Sequence, residues 1–265
     1  MSQSQKKQIY NHKVVETAQV STETLVVKDI EGLGEDLINE QRKHNGFLGV
    51  SLSKRFFSKE HIKMYFDWAL SHCKEFVLLI DDWEEQHNYR VFKKLTNEQA
   101  KARALSEGNN KKRAFTRVLN RYSANQRAKV KIMCSSELFQ NPEHAQIWSI
   151  RNKLVSAFSQ NPEFRKAVMQ QVHTNIGKRI AAWRSETGML EEDNQYRQAL
   201  ELLPMHLLEE IAVTIYLREQ MGFPTEIYPA SAMPVVRDLY EGKYFEPAQK
   251  YLSRDNYGYI NLGIE

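Results

Sequence analysis

Short apolar runs separated by helical patterns characterise the first third of the chain. Residues 47–52 and 76–80 are largely apolar, and runs of this length are typical of buried strands. Between them, residues 58–73 carry apolar side chains at helical spacing, with Ser58 as a candidate N-cap. A strand, a helix and a strand in immediate succession predict a βαβ unit, which implies a parallel sheet with a right-handed crossover.

The remaining pattern is mostly helical. It predicts helices over residues 96–107, 111–124, 143–159, 162–186, 190–203, 204–220 and 234–242, and strands over residues 128–134 and 225–228. We expect Gly108 to lie at the end of the first of these helices and Pro204 to open a new one. This order of strands and helices predicts one α/β domain over residues 26–265, with a Rossmann-like parallel sheet flanked by helices. A flexible arm over residues 1–25 would precede it.

Composition narrows the class of protein. The chain has 265 residues, of which 42% are apolar and 26% charged, so it is long enough and apolar enough to bury a large core. Its two cysteines, Cys73 and Cys134, have neither C-x-x-C nor metal-binding spacing, which favours a reducing compartment over a disulfide framework. No apolar run approaches the ~20 residues that span a bilayer. We therefore expect a cytoplasmic protein without a membrane partner.

The net charge of +4 conceals an uneven distribution. Residues 101–131 contain ten Lys or Arg and one acid, Glu107. Within this segment Arg113, Arg117 and Arg121 recur every four residues and would share one helix face. Such a row predicts contact with a nucleic-acid backbone, because each neutralised phosphate releases counterions. The alternative interpretation is a solvated helix face, and charge alone does not distinguish RNA from DNA.

Ser51 ends the first predicted strand, and Gly49 precedes it on the same strand face. In open parallel sheets, ligands bind beyond the carboxyl ends of the strands. A hydroxyl beside a position without a side chain is a candidate nucleophile, although a lone serine is more often a cap or turn residue. The surrounding residues do not form a G-x-S-x-G elbow, so an α/β-hydrolase is not favoured.

The segment His-Asn-Gly-Phe-Leu-Gly-Val-Ser, residues 44–51, resembles the signature of cyclodipeptide synthases, with Ser51 at the family's nucleophile. Four residues separate His44 from Gly49 in this chain, whereas three residues separate the corresponding His and Gly in the family. Further segments resemble family features in the same order: a second strand at 76–81, a turn at Asn88-Tyr89, small-residue and basic helices over 102–121, a Tyr-Pro pair at 228–229 and an ending at 234–244. The Tyr-Pro pair marks one of the two subfamilies.

This resemblance implies an enzyme that makes a 2,5-diketopiperazine from two aminoacyl-tRNAs. Its fold would resemble the catalytic domain of tyrosyl- and tryptophanyl-type class I tRNA synthetases. The first aminoacyl group would move to Ser51, a dipeptidyl-enzyme would follow, and ring closure would release the product. The resemblance further implies a monomer that needs no metal or other cofactor and has no DNA partner. The tRNA acceptor arm would lie on the basic helix, at Lys111, Lys112, Arg113, Arg117 and Arg121.

The family also has a Tyr followed four residues later by a Glu in the helix before the Tyr-Pro pair. His206 and Glu210 have that spacing here, with His in place of Tyr, whereas Tyr216 and Glu219 are three residues apart. The distance along the chain to Tyr228 favours His206 and Glu210. In this alignment Glu210 would anchor the substrate ammonium, His206 would donate a hydrogen bond or relay a proton, and Tyr228 would bind the aminoacyl group.

Four residues are candidates for substrate selection. Glu226 shares a strand face with Tyr228, so we expect it near the first side-chain pocket, where it would favour a side chain with an N–H donor. Phe47 and Gly49 would shape the same pocket, and Lys54 would contact tRNA or the second amino acid. The alternatives to this enzyme are a non-catalytic RNA-binding protein and an unrelated Ser-dependent acyltransferase or hydrolase.

Overall fold

A six-stranded sheet with helices on both faces forms the protein. The computed structural model describes residues 23–38, 43–52, 57–188, 194–244, 252 and 254–265. The strands are Leu25–Gly32 (β1), Gly46–Ser51 (β2), Phe76–Asp81 (β3), Val130–Cys134 (β4), Thr225–Tyr228 (β5) and Gly258–Ile264 (β6). Their order is β1-β6-β5-β2-β3-β4, and all neighbouring pairs are parallel except β1 with β6. The predicted α/β fold is confirmed.

Ten α-helices are found in the described part of the chain. They are Gly34–Ile38 (α1), Lys59–His72 (α2), Asp82–Phe92 (α3), Asn97–Leu119 (α4), Ala124–Arg127 (α5), Ser135–Gln140 (α6), Gln146–Gln160 (α7), Pro162–Thr187 (α8), Asn194–Glu219 (α9) and Pro234–Tyr240 (α10). Short 3₁₀ turns lie at Pro142–His144 and Arg254–Asn256. Over the described ranges, none of the helices has the length and apolar character needed to cross a membrane.

The predicted βαβ unit is β2, α2 and β3. The two strands pair in parallel from Gly46 opposite Phe76 to Ser51 opposite Asp81. The Ser58 hydroxyl accepts a hydrogen bond from the His61 backbone N–H, so it caps α2 as predicted. The local sequence signals were sufficient here because strand length, helical spacing and the cap all lie within one short segment.

The predicted break at Gly108 is wrong, because α4 runs through it without interruption. A Cβ atom at Gly108 would lie 2.5 Å from the Cβ of Asp82, so a side chain there would collide with the start of α3. The glycine therefore permits close packing of α4 on α3 and does not end a helix. The helix ends instead at Leu119, which leaves Arg121 just beyond it.

The predicted boundary at Pro204 is also wrong, since α9 is continuous from Asn194 to Glu219 with Pro204 inside it. Proline removes a helical hydrogen bond, and this favours an interruption. The helix persists because Leu203, Leu207 and Leu208 are buried in one core cluster around the proline. Tertiary packing of α9 therefore outweighs the local cost of proline.

Three further features differ from the sequence-based expectations. Asn88 and Tyr89 lie within α3 and are buried, so they do not form the turn that the resemblance implied. Strands β1 and β6 were not predicted, although they complete one edge of the sheet. Residues 1–22 of the predicted arm lie outside the described residues, and its last residue, Leu25, already belongs to β1.

Candidate active site

The carboxyl ends of three neighbouring parallel strands meet at one edge of the sheet. Ser51 is the last residue of β2, Asp81 the last of β3 and Tyr228 the last of β5. Ser51 and Asp81 are register partners, so their side chains leave the sheet on the same side. This is the position at which open parallel sheets bind their ligands.

Helix α9 covers this edge and contributes His206 and Glu210, which are one helical turn apart. Both residues line a cavity together with Ser51, Asp81 and Tyr228. The cavity volume is about 90 Å³, which corresponds to roughly three water molecules. An aminoacyl group is larger than this volume.

The alternative pair, Tyr216 and Glu219, lies elsewhere. The Tyr216 hydroxyl is 2.8 Å from His144 Nδ1, and Glu219 accepts a hydrogen bond from Asn256. Neither residue lines the cavity with Ser51. The structure therefore brings the pair His206 and Glu210, and not Tyr216 and Glu219, to the candidate nucleophile.

The contacts of His206 Nδ1 indicate which ring nitrogen carries a proton. Its Nδ1 atom is 2.9 Å from the backbone oxygen of Glu84 and 3.3 Å from the side-chain nitrogen of Asn88. A carbonyl oxygen only accepts, so the shorter contact assigns the proton to Nδ1. In the neutral imidazole, Nε2 is then a proton acceptor. This chemistry differs from that of the tyrosine hydroxyl that the resemblance implies at this place.

Carboxyl groups dominate the electrostatics of the cavity. Burial raises the pKa of Asp81 well above its usual value, and the neighbouring Glu210, Glu226 and Asp82 carboxylates raise it further. Burial also raises the pKa of the Tyr228 hydroxyl, with Glu210 and Asp81 as further contributors. Such a site favours a cationic ligand group, such as the α-ammonium of an amino acid.

A second network braces α3 against α9 beside the cavity. Glu209, the neighbour of Glu210, lies 2.8 Å from His87 Nε2 on α3 and accepts a hydrogen bond of 3.0 Å from Arg151 on α7. Glu209 is 3% exposed, so the cation Arg151 compensates a carboxylate that is almost fully removed from water. These contacts fix the turn of α9 that carries Glu210.

The structure does not place all of the predicted pocket residues in the cavity. Glu226 shares the strand face of Tyr228, but its carboxylate accepts a hydrogen bond from the fully buried Arg218, and it does not line the cavity. Phe47 is 1% exposed and lies in the core, with Arg218 over its ring. Neither side chain lines the cavity with Ser51, and the guanidinium of Arg218, a residue of α9, contacts both of them. Their roles in substrate selection stay predictions.

The other two predicted substrate-binding residues are Gly49, which the structure places beside Asp81, and Lys54, which it does not describe. The position of a Cβ on Gly49 is 3.6 Å from an Asp81 carboxylate oxygen, so the space beside this glycine faces the carboxylate. Lys54 lies outside the described residues.

The basic residues after Gly108 divide into two groups. Arg113, Arg117 and Arg121 are exposed, as expected for a nucleic-acid contact. Lys112 is half-buried and forms an ion pair with Glu137. Lys111 is directed to the site instead, where its ammonium donates to the backbone oxygen of Ser51.

Sequence reasoning missed several residues that line the cavity. Asp81 entered the sequence analysis only as the last residue of the expected strand at 76–81, and an acid in that position is a usable signal in a parallel sheet. Glu85 and Arg179 carried no local signal, since α3 was not predicted and α8 is distant in the sequence, and Asn88 was expected in a turn. Within the described ranges, no group of three or more His, Cys, Asp or Glu side chains is arranged to hold a metal ion.

Comparison with known proteins identifies one family. A family model described as "Cyclodipeptide synthase" matches residues 34–207, more than half of the chain. A search of curated protein sequences finds no match.

Solved structures with the same fold share little sequence with this chain. A cyclodipeptide synthase (CDPS) from Fluoribacter dumoffii has 16% identity and a TM-score of 0.67, covering 92% of this chain and 98% of its own. A Mycobacterium tuberculosis protein, described as showing that cyclodipeptide synthetases are related to type I tRNA synthetases, has 14% identity and a TM-score of 0.66, covering 91% and 94%. A cyclodipeptide synthase from Candidatus Glomeribacter gigasporarum, bound to Phe-tRNAPhe, has 15% identity and a TM-score of 0.61, covering 88% and 94%.

Proposed function

The chain belongs to the cyclodipeptide synthase family, and on this premise we propose that it joins two aminoacyl groups from aminoacyl-tRNAs into a 2,5-diketopiperazine through an acyl-Ser51 intermediate. One observation carries the proposal. Ser51, His206, Glu210 and Tyr228 come from three separate segments of the chain and line one cavity at the carboxyl ends of the strands. A serine that served only as a turn residue would not need these three side chains beside it.

The first half-reaction is transfer of an aminoacyl group to Ser51. The Ser51 Oγ atom attacks the ester carbonyl, the bond from that carbonyl to the tRNA ribose oxygen breaks, and the serine proton ends on the ribose hydroxyl. The carboxylate of Glu210 binds the α-ammonium of the aminoacyl group by a charge-assisted hydrogen bond. The Tyr228 hydroxyl donates a hydrogen bond to the aminoacyl carbonyl oxygen, which becomes negatively charged in the tetrahedral intermediate.

The second half-reaction needs a free amine. His206 Nε2 accepts a proton from the ammonium of the seryl-bound group, and the amine attacks the ester of a second aminoacyl-tRNA. The bond to the ribose oxygen breaks, that oxygen takes the remaining proton of the attacking amine, and tRNA leaves a dipeptidyl-enzyme. His206 releases its proton to solvent and then deprotonates the new terminal ammonium, and the resulting amine attacks the seryl ester. The C–O bond to Ser51 breaks, the serine recovers a proton and the cyclic product leaves.

Further parts of the proposal concern class, partner and assembly. The Tyr228-Pro229 pair supports membership of the Tyr-Pro subfamily. The exposed Arg113, Arg117 and Arg121 support a tRNA contact along α4 and its end. We further propose that the enzyme acts as a monomer in the cytoplasm and without a cofactor.

Expression with mass spectrometry tests the proposed function directly. Cells producing the wild-type protein should release a diketopiperazine into the medium, and Ser51→Ala should abolish it, since the variant lacks the proposed acyl acceptor. Ser71→Ala, an exposed serine on α2, is the matched control and should leave the product unchanged. A product that persists in Ser51→Ala would refute the acyl-serine mechanism. Wild-type tRNA binding without any product would instead indicate an RNA-binding protein.

A further inference from the structure

One lysine of α4 points away from the basic surface that its neighbours form. The Lys111 ammonium donates hydrogen bonds to the backbone oxygens of Ser51, at 2.6 Å, and Leu52, at 3.2 Å. Arg113 and Arg117, two and six residues later, are exposed on the outside of the same helix. The basic segment therefore contains a lysine bonded to the end of β2 and arginines that are exposed to solvent.

Gly108 explains how Lys111 reaches the end of β2. The two residues are three positions apart, so they lie on the same face of α4. A side chain at Gly108 would collide with Asp82, and its absence lets α4 pack closely against the start of α3. This close packing brings the next turn of α4, which carries Lys111, to the last residue of β2.

The surroundings of Lys111 do not suit a phosphate. Burial is the largest influence on its ammonium and lowers its pKa, whereas the carboxylates of Asp81, Glu85 and Glu107 act in the opposite direction. A phosphate entering here would meet these carboxylates as like charges and would compete with two carbonyl oxygens for the ammonium. The exposed arginines present no such barrier.

We propose that Lys111 is a positioning residue for acyl transfer, which holds the backbone at Ser51 so that the hydroxyl is kept in its attacking orientation, and that it is not a ligand of the tRNA backbone. Ser51 is the last residue of its strand, so fixing its carbonyl fixes the peptide next to the nucleophile. A displacement of about 1 Å at a reacting atom can cost 10²-fold in rate. This inference rests on the proposed function of Ser51.

Two measurements separate positioning from tRNA binding. The first is the single-turnover rate of label transfer to the protein, with enzyme in excess over bulk tRNA charged with the radiolabelled amino acid found in the wild-type product. The second is the affinity for uncharged bulk tRNA at several salt concentrations. Lys111→Met should slow label transfer about 100-fold and leave the affinity and its salt dependence within about twofold of wild type.

Matched variants on the same helix complete the test. Lys101→Met removes an exposed lysine of α4 and should change neither measurement. Arg117→Met should weaken affinity and reduce the salt dependence without changing the saturated rate of transfer. Lys111→Arg keeps the donors on a longer side chain, so it should transfer label about 10-fold faster than Lys111→Met but more slowly than wild type.

The inference is overturned if Lys111→Met behaves as Arg117→Met does, with weaker tRNA binding and an unchanged saturated rate. Circular dichroism and melting temperature check the fold. If Lys111→Met does not fold, Lys111→Arg decides: slower transfer at unchanged affinity supports positioning, and an unchanged rate overturns it. Equal labelling of wild type and Ser51→Ala would show that the proposed function itself has failed, which is a separate outcome.

Discussion

The cavity at the strand ends and the outer face of α4 differ in their ionisable groups and in the exposure of those groups to water. In the cavity, Asp81 and Glu210 are carboxyl groups close to one another, and burial displaces the pKa of Asp81 upward. On the outer face, Arg113 and Arg117 are exposed, and among the described residues no acid forms an ion pair with either of them.

The difference follows from solvation. Removing a charge from water is costly, so every buried charged group needs a specific partner, and its chemistry depends on that partner. Exposed charges keep their hydration, interact weakly with any one neighbour and act together on a charged ligand. We therefore expect changes in the cavity to affect the rate of chemistry, and changes on the outer face to affect binding.

The largest effect is expected for Glu210→Gln in the cavity. Loss of the charge-assisted hydrogen bond to the substrate ammonium should slow acyl transfer about 100-fold, consistent with the roughly 2–3 kcal/mol such bonds contribute. Single-turnover label transfer measures the rate, and the affinity for uncharged tRNA should stay unchanged. Glu201→Gln, an exposed glutamate of the same helix, is the control. A weaker tRNA affinity in Glu210→Gln would break the division of roles between the two regions.

An intermediate effect is expected for the double variant Arg113→Glu/Arg117→Glu on the outer face. Affinity for tRNA should fall about 10-fold or more, while the saturated rate of transfer stays the same. If each arginine contacts one phosphate, the slope of log affinity against log salt should fall by about 1.4–1.8. Lys166→Glu, an exposed residue of α8, serves as the control. An unchanged affinity would show that tRNA binds elsewhere.

The smallest effect on turnover is expected for Glu226→Gln, because this residue pairs with Arg218 and does not line the cavity. Its consequence should appear in stability. Burial raises the pKa of Glu226 to about 7 from an ordinary 4.5, with the Arg218 guanidinium opposing the shift. The folded state therefore retains a proton that the unfolded state releases, and the free energy of unfolding should fall as pH rises from about 4.5 through 7.

Urea denaturation at pH 5 and pH 8 measures this contribution. Glutamine does not ionise and still accepts a hydrogen bond from Arg218. The wild type should therefore lose stability relative to Glu226→Gln between these two pH values, by on the order of 1–3 kcal/mol. Parallel pH profiles for the two proteins would contradict the shifted pKa. If Glu226→Gln made a different product from the wild type, Glu226 would instead have a role in substrate selection.

Local signals predicted much of the fold and part of the site. Apolar spacing located β2, α2 and β3, and the position of Ser51 at a strand end followed from the length of its apolar run. The spacing between Glu210 and Tyr228 selected the turn of α9 that lines the cavity with Ser51. Each of these features depends on residues that are near one another in sequence or on the period of a single element.

Where the prediction failed, the deciding partner was distant in sequence. Gly108 and Pro204 are common helix breakers, and only their packing against Asp82 and the α9 core keeps both helices continuous. Glu226 was expected in the pocket because it shares a strand face with Tyr228, and its pairing with the buried Arg218 has no local signature. Lys111 belonged to a basic run, and nothing in that run distinguished it from its neighbours.

The amino-acid sequence by itself determined the parallel sheet, the serine at a strand end and the asymmetric distribution of charge, because periodicity and composition are properties of local segments. The tertiary structure alone decided which charges are buried, which carboxyl groups meet, and that one lysine of the basic helix faces the nucleophile. Burial and pairing depend on contacts between residues far apart in the chain, 60 positions for Ser51 and Lys111 and 122 for His87 and Glu209, and such contacts exist only once the helices have packed on the sheet.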